Sequence, residues 1–180
     1  PATVPPSTVP VSPHRDAVLA ALNGVLGDHL AATGNPLAIP MAFRRSGRVL
    51  EPRLEKGSRI LLLVHGLCRS DLQWLRKGHD HGASLAADLG LTPVYLHYNS
   101  GRAIATNGRE LAMRLEALVA DWGEPVSDIV VVAHSMGGLV ARSACHVGEQ
   151  AGHVWRKKLD KLVFLGTPHH GAPLERGGHW

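Results

Sequence analysis

Four short runs of mostly apolar residues constrain the fold of this chain most strongly. They lie at 60–64, 94–98, 129–132 and 162–165, and each has the length of a β-strand. The first run, Ile60 to Val64, is continuously apolar, which is typical of a strand buried on both faces. Helical patterns separate the runs. This alternation requires right-handed crossovers and therefore predicts an α/β fold with a mostly parallel, doubly wound sheet.

Local signals place the helices between these strands. Asp80 is expected to cap a helix that runs from about residue 81 to residue 89. Asn107 and Glu110 have the spacing of a capping box, which predicts that the next helix begins at Asn107. A third helix is expected to begin at the Gly137-Gly138 pair.

The region before the first strand has a different character. Residues 1–13 contain five prolines and are expected to form a flexible arm. Residues 14–58 are expected to hold an amphipathic helix that packs on the domain, followed by short strands around a basic turn at 44–48. Residues 59–180 are expected to form the α/β core. Contact of the helix with a membrane surface is an alternative use of its apolar residues.

Composition excludes several classes of protein. The chain has 180 residues, 44% of them hydrophobic and 19% charged, which argues against disorder. Two cysteines cannot form a disulfide scaffold. Aromatic residues make up only 4% of the chain, which argues against stacking on nucleic-acid bases in spite of the net charge of +4. No segment has the pattern of a signal peptide or a membrane span, and this favours the cytoplasm while leaving the compartment open.

The segment from Val132 to Gly138 carries the chemistry. It places Ser135 between small residues, directly after an apolar strand and before a helix. A nucleophile elbow has this arrangement: the turn is so tight that the serine backbone is strained and its neighbours must be nearly free of side chains. The N-terminus of the following helix can stabilise a developing negative charge.

Three motifs in this order resemble the α/β-hydrolase superfamily, in particular lipases and esterases similar to GPI inositol-deacylase-like proteins and short bacterial triacylglycerol lipases. They are the segment 63–67 (LVHGL), the elbow 133–138 (AHSMGG) and the segment 164–173 (FLGTPHHGAP). The resemblance covers residues 59–180 and implies the third to sixth strands of the family's sheet. Ala133 departs from the pattern, which prefers glycine at that position.

The resemblance implies a role for each matching residue. Ser135 would be the nucleophile, and the backbone N–H groups of Leu67 and Met136 would form the oxyanion hole. The remaining residues would shape the elbow and the oxyanion loop; they are His65, Gly66, Ala133, His134, Gly137 and Gly138. We expect His65 to be structural rather than a base, and His134 to pack rather than to contact substrate.

No metal or organic cofactor is expected. The segment 79–81 (His-Asp-His) and the histidine pair 169–170 contain suitable ligand types but lack the spacing of a known metal motif. Asp80 is already assigned to capping.

The acid and the base of a triad are the missing parts. In this superfamily they follow the serine, and only 45 residues follow Ser135. His169 and His170 come after a strand at the correct edge of the sheet, but they belong to the strand-end motif. Glu175 and His179 are in the required order, with nothing to fix their geometry. We therefore expect the chain to represent the N-terminal part of a longer hydrolase whose fold is incomplete here.

The resemblance implies a serine hydrolase of carboxylic esters, with a small-molecule or lipid ester as substrate. A non-catalytic or truncated module of the same fold and an acyltransferase on the same scaffold remain alternatives. The sequence leaves the substrate and the oligomeric state open.

Overall fold

A six-stranded mixed sheet forms the centre of the computed structural model, which describes residues 13–171. The expected proline-rich arm lies outside the described residues, except for Pro13, which begins the first helix. The strands of this sheet are β1 (Ala42–Arg45), β2 (Arg48–Val49), β3 (Arg59–Val64), β6 (Thr92–His97), β7 (Asp128–His134) and β8 (Leu159–Leu165). Two further short strands, β4 (Leu75–Arg76) and β5 (His79–Asp80), pair only with each other.

The strand order across the sheet is β2-β1-β6-β3-β7-β8. Strands β6, β3, β7 and β8 are parallel to one another, whereas β1 is antiparallel to both β6 and β2. The prediction of a mostly parallel sheet is therefore confirmed. The register brings the carboxyl ends of β6, β3 and β7 level with one another, because Val64 pairs with both Leu96 and Ala133.

Helices cover both faces of the sheet. They are α1 (Pro13–Ala32), α2 (His81–Leu89), α3 (Ile104–Asp121), α4 (Met136–Gln150) and the short α5 (Val154–Lys157). Leu62 and Val64 face one core, which α3 and α4 cover, while Leu61 and Leu63 face a second core beneath α2. These four residues are 0–1% exposed. A strand buried on both faces explains the continuous apolar run and confirms the doubly wound arrangement.

The expected cap of α2 is confirmed, and the expected start of α3 is wrong. The Asp80 carboxylate accepts a hydrogen bond from the Ala83 amide over 2.9 Å. In contrast, α3 begins three residues before Asn107, whose buried side chain donates to the Asn99 carbonyl over 2.9 Å. Asn107 thus satisfies the backbone of the preceding loop, and Glu110 forms an ion pair with Arg102 instead of completing a capping box.

Helix α1 packs with a different face from the one its aliphatic residues predict. The helix buries Ala20, Asn23 and Leu30, whereas Val18 and Val25 are 68% and 76% exposed. The Asn23 side chain donates to the Leu37 carbonyl and accepts from the Ile39 amide. Small and polar residues therefore form the contact face of α1 together with Leu30. Within residues 13–171, no helix is both long and apolar enough to span a membrane.

Candidate active site

Ser135 lies at the junction between β7 and α4, at the carboxyl edge of the sheet. Its backbone has φ +51° and ψ −129°, a conformation that residues other than glycine rarely adopt. Such a conformation costs about 1–3 kcal/mol and persists only where the surroundings enforce it. The Ser135 amide donates to the Leu165 carbonyl over 2.8 Å, so pairing with β8 helps to hold the strained residue in place.

The residues beside Ser135 leave no room for larger side chains. Ala133 is fully buried between Val64 and Phe164. A Cβ atom added to Gly137 would lie 2.3 Å from the His65 carbonyl oxygen, and one added to Gly138 would lie 2.0 Å from Oγ1 of Thr167. The backbone after β3 therefore requires glycine at position 137, and the side chain of Thr167, which follows β8, requires it at position 138.

The two amides expected to form an oxyanion hole belong to segments that meet at Ser135. Met136 is the first residue of α4, so its N–H has no acceptor within the helix. The loop after β3 touches the nucleophile: a Cβ atom added to Gly66 would lie 3.1 Å from Cβ of Ser135. Among the hydrogen bonds of residues 13–171, none uses the amide of Leu67, whose side chain is half exposed.

His65 has the surroundings of a structural residue. Its ring is fully buried and stacks on Tyr98 with centroids 4.3 Å apart. Burial lowers the pKa of His65 to about 4, so the ring is neutral near pH 7. Nδ1 lies 2.9 Å from the Gly66 carbonyl oxygen and must carry the proton, which leaves Nε2 as a buried acceptor without a partner in the described part of the chain.

The expectation that His134 packs rather than contacts substrate stays a prediction: a Cβ atom added to Gly66 would lie 3.1 Å from Nδ1 of His134, yet the residue as a whole is exposed. It is the last residue of β7, and its ladder partner in β8, Leu165, is exposed as well. The reason is that α2 packs over β3 and β6 and leaves this part of the sheet face uncovered.

The two candidate bases follow β8, as expected, but His169 has an unsuitable partner. Nη1 of Arg142 lies 2.9 Å from Nδ1 of His169, and the guanidinium can only donate. In a neutral His169 ring, Nδ1 therefore accepts the hydrogen bond from Arg142, and Nε2 carries the proton. This is the reverse of a catalytic histidine, whose Nδ1–H donates to a carboxylate. His170 is exposed.

The acidic residues after Ser135 are engaged elsewhere or lie outside the described range. Glu149 pairs with Arg156, and Asp160 pairs with Lys161. Glu175 and His179 lie outside the described residues. Around the suspected metal motif, Asp80 also accepts a hydrogen bond from the Tyr95 hydroxyl, and residues 13–171 contain no cluster of three or more potential metal ligands.

A buried carboxylate–histidine pair is the feature that the sequence reasoning missed. Oδ1 of Asp71 lies 2.8 Å from Nδ1 of His97, and both side chains are less than 10% exposed. No local motif links residues 26 positions apart. A signal was nevertheless present: His97, His65 and His134 directly follow Leu96, Val64 and Ala133, which pair with one another in register. Aligning the ends of the predicted strands would have placed three histidines side by side.

The sheet topology, the crossover helices and the strand–serine–helix junction define an α/β-hydrolase-like fold. The chain belongs to the family described as a domain of unknown function (DUF7379), which matches residues 40–180. No curated protein matches the chain.

Solved structures of Bacillus licheniformis lipase BlEst2 are similar to this chain. The propeptide form and the mature form each align with a TM-score of 0.56 and 23% identity over 78% of this chain. The chain spans 28% of the propeptide form and 53% of the mature form. These likenesses support the shared fold. The resemblance to GPI inositol-deacylase-like proteins stays a prediction.

Proposed function

We propose that the protein is a serine hydrolase of carboxylic esters, with Ser135 as the nucleophile. The observation that carries the proposal is the strained backbone of Ser135 at the junction of β7 and α4. Strain of this kind is retained where it serves a function. The lipase named among the structural neighbours favours lipid or acyl esters as the substrate class.

The proposed reaction proceeds through an acyl-enzyme on Ser135. Oγ of Ser135 attacks the ester carbonyl, and the amides of Leu67 and Met136 donate to the resulting oxyanion. Collapse of the tetrahedral intermediate breaks the bond to the alcohol, which leaves with the proton that the Ser135 hydroxyl lost. The acyl group stays on Oγ of Ser135 as an acyl-enzyme. Water then adds to the acyl carbon and releases the carboxylic acid and the Ser135 hydroxyl. An acyltransferase would differ only in using another acceptor in place of water.

A non-catalytic module of the same fold is the second candidate. The observation that favours it is the bond from Arg142 to Nδ1 of His169, because this bond occupies the acceptor nitrogen that a base needs. The two candidates differ in whether a working base serves Ser135.

Reaction with a fluorophosphonate probe tests the proposal. If a working base serves Ser135, as the proposal requires, the folded wild-type chain is labelled on Ser135, because a serine without a base reacts too slowly to be detected. The Ser135→Ala variant should not be labelled. Ser127→Ala should be labelled like wild type, because Ser127 lies near the opposite edge of the sheet, where its hydroxyl bonds to Ser58 and Asp128.

Hydrolysis of p-nitrophenyl esters of increasing acyl length provides the second measurement. Turnover that rises from acetate to octanoate would support acyl or lipid esters as substrates. A chain with wild-type circular dichroism that is neither labelled nor active would refute the proposal in favour of the non-catalytic module.

A further inference from the structure

Asp71 connects the loop after β3 to the rigid sheet. It begins the 3₁₀ turn Asp71–Trp74, four residues after Leu67, and its side chain is 3% exposed. Besides the bond to His97, Oδ1 of Asp71 lies 3.5 Å from Nη1 of Arg44 on β1. The same Arg44 nitrogen lies 3.5 Å from Asp16 on α1, so one network, buried at Asp71 and partly exposed at Arg44 and Asp16, joins the loop to two strands and a helix.

The energetics of the network favour a firmly held carboxylate. Burial by itself raises the pKa of Asp71, but the hydrogen bond from His97 and the charges of His97 and Arg44 outweigh it, and the pKa lies below its usual value. An ionised carboxylate in this place requires its partners, because an unpaired buried charge is costly. Any movement of the loop that separates Asp71 from His97 is therefore opposed.

Between Gly66 and Asp71, few hydrogen bonds hold the loop near the nucleophile. The Cys68 amide donates to Oγ of Ser100 over 3.0 Å, and Cys68 itself has φ +56°. Leu67 lies between the end of β3 at Val64 and these two attachment points at Cys68 and Asp71. Its amide position is therefore determined by how well the loop is held on both sides.

We infer that Asp71 is a positioning residue: through its bond to His97, it holds the loop 66–74 so that the Leu67 amide stays beside Ser135, where an oxyanion forms. This inference rests on the proposed function, because it assigns Leu67 the same role. His97 suits the task because it ends β6, next to β3, and is fixed by the sheet.

Three variants separate positioning from general stabilisation. Asp71→Ala removes both contacts. Asp71→Asn keeps an oxygen that can accept from His97 but removes the charge near Arg44. Asp16→Ala removes a partner of the same arginine at the same distance without altering the loop, and serves as the matched control.

Asp71→Ala is expected to change kcat and to leave KM nearly unchanged. Losing an oxyanion donor costs on the order of 10²–10³-fold in kcat, so Asp71→Ala should lower ester turnover about 100-fold, with KM within about threefold of wild type. Asp71→Asn should recover turnover to within about tenfold of wild type, and Asp16→Ala should leave kcat unchanged. If Asp71→Ala and Asp16→Ala lose the same fraction of kcat, in proportion to the fall in their melting temperatures, the network only stabilises the fold. That result would overturn the inference.

Hydrogen exchange of the loop decides the inference independently of activity. In Asp71→Ala, peptides covering residues 66–74 should exchange at least about tenfold faster, while β3 and β7 stay protected as in wild type. Unchanged loop exchange would overturn the inference even in an active enzyme. If the wild-type chain fails to react with the fluorophosphonate, the proposed function fails, and the exchange rates still show whether Asp71 holds the loop.

Discussion

His65 is uncharged in the folded chain because its ring is enclosed beside Tyr98, yet it regains an ordinary environment on unfolding. Burial lowers the pKa of His65 from 6.5 to about 4. Between these two values the unfolded chain binds the proton and the folded chain does not. Stability must therefore fall as the pH is lowered through this window.

We expect His65 to contribute a loss of about 3 kcal/mol in the free energy of unfolding between pH 6.5 and pH 4, because each unit of pKa shift corresponds to about 1.4 kcal/mol. Urea denaturation at intervals of half a pH unit measures this loss. The His65→Gln variant, which cannot take up the proton, should show a shallower dependence than wild type in this window.

The control for this measurement is His146→Gln, which alters an exposed histidine on α4. Because glutamine also changes the contact with Tyr98, the informative quantity is the slope of the unfolding free energy against pH and not its absolute value. Identical slopes in wild type and His65→Gln would contradict a buried neutral ring.

At the scale of elements, α1 shows what a sequence pattern can and cannot predict. The 3- and 4-residue spacing of its aliphatic residues correctly predicts a helix. The buried face is different because Gly24 lies against the loop at Cys68, and Gly27 lies against the backbone at Gly101. Contacts of this kind depend on where a distant loop passes, which local periodicity does not encode.

Gly24→Ala tests this packing, because propensity and sterics predict opposite signs. Alanine in a helix interior is favoured over glycine by about 1 kcal/mol. However, the new Cβ atom would lie 2.2 Å from Sγ and 2.8 Å from Cα of Cys68, and the backbone cannot yield as a side chain can. We therefore expect a net loss of about 1–3 kcal/mol in the free energy of unfolding, measured by chemical denaturation.

The matched control lies on the exposed face of the same helix. Ala21→Gly should cost about 1 kcal/mol by propensity alone, so positions 21 and 24 should prefer opposite residues. A Gly24→Ala variant as stable as wild type would mean that α1 does not rest closely on the loop.

Strands can be predicted from local sequence more readily than the contacts of site residues, and the cause is physical. A strand buried on both faces must be apolar throughout, so β3 and β7 are readable from their own residues. The elbow is readable for a similar reason, since the turn itself demands Ser135 between glycines and alanine. The Asp71–His97 pair and the partner of His169 depend instead on long-range packing, which the sequence of a single segment does not predict.

At the scale of the whole molecule, the two faces of the sheet are unequally covered. Helices α3 and α4 cover one face, whereas on the other α2 lies over β3 and β6. On β8, Val163 and Leu165 are 40% and 41% exposed. Within the described range, no strand pairs with the outer edge of β8. Natural sheets usually protect such an edge with charges, bulges or covering segments. The charged residues of β8, Asp160 and Lys161, lie near its start, and the segment 162–165 carries no charge.

We expect the 180-residue chain to associate through this edge as its concentration rises, and Val163→Lys to weaken the association about tenfold. A lysine on an edge strand opposes pairing because it places a charge where another chain would bury it. Sedimentation velocity across a hundredfold concentration range measures the change. Val18→Lys, on the exposed face of α1, adds the same charge at another exposed valine and should leave the association unchanged. If Val18→Lys abolishes the association while Val163→Lys does not, the contact runs through α1 instead of the sheet edge.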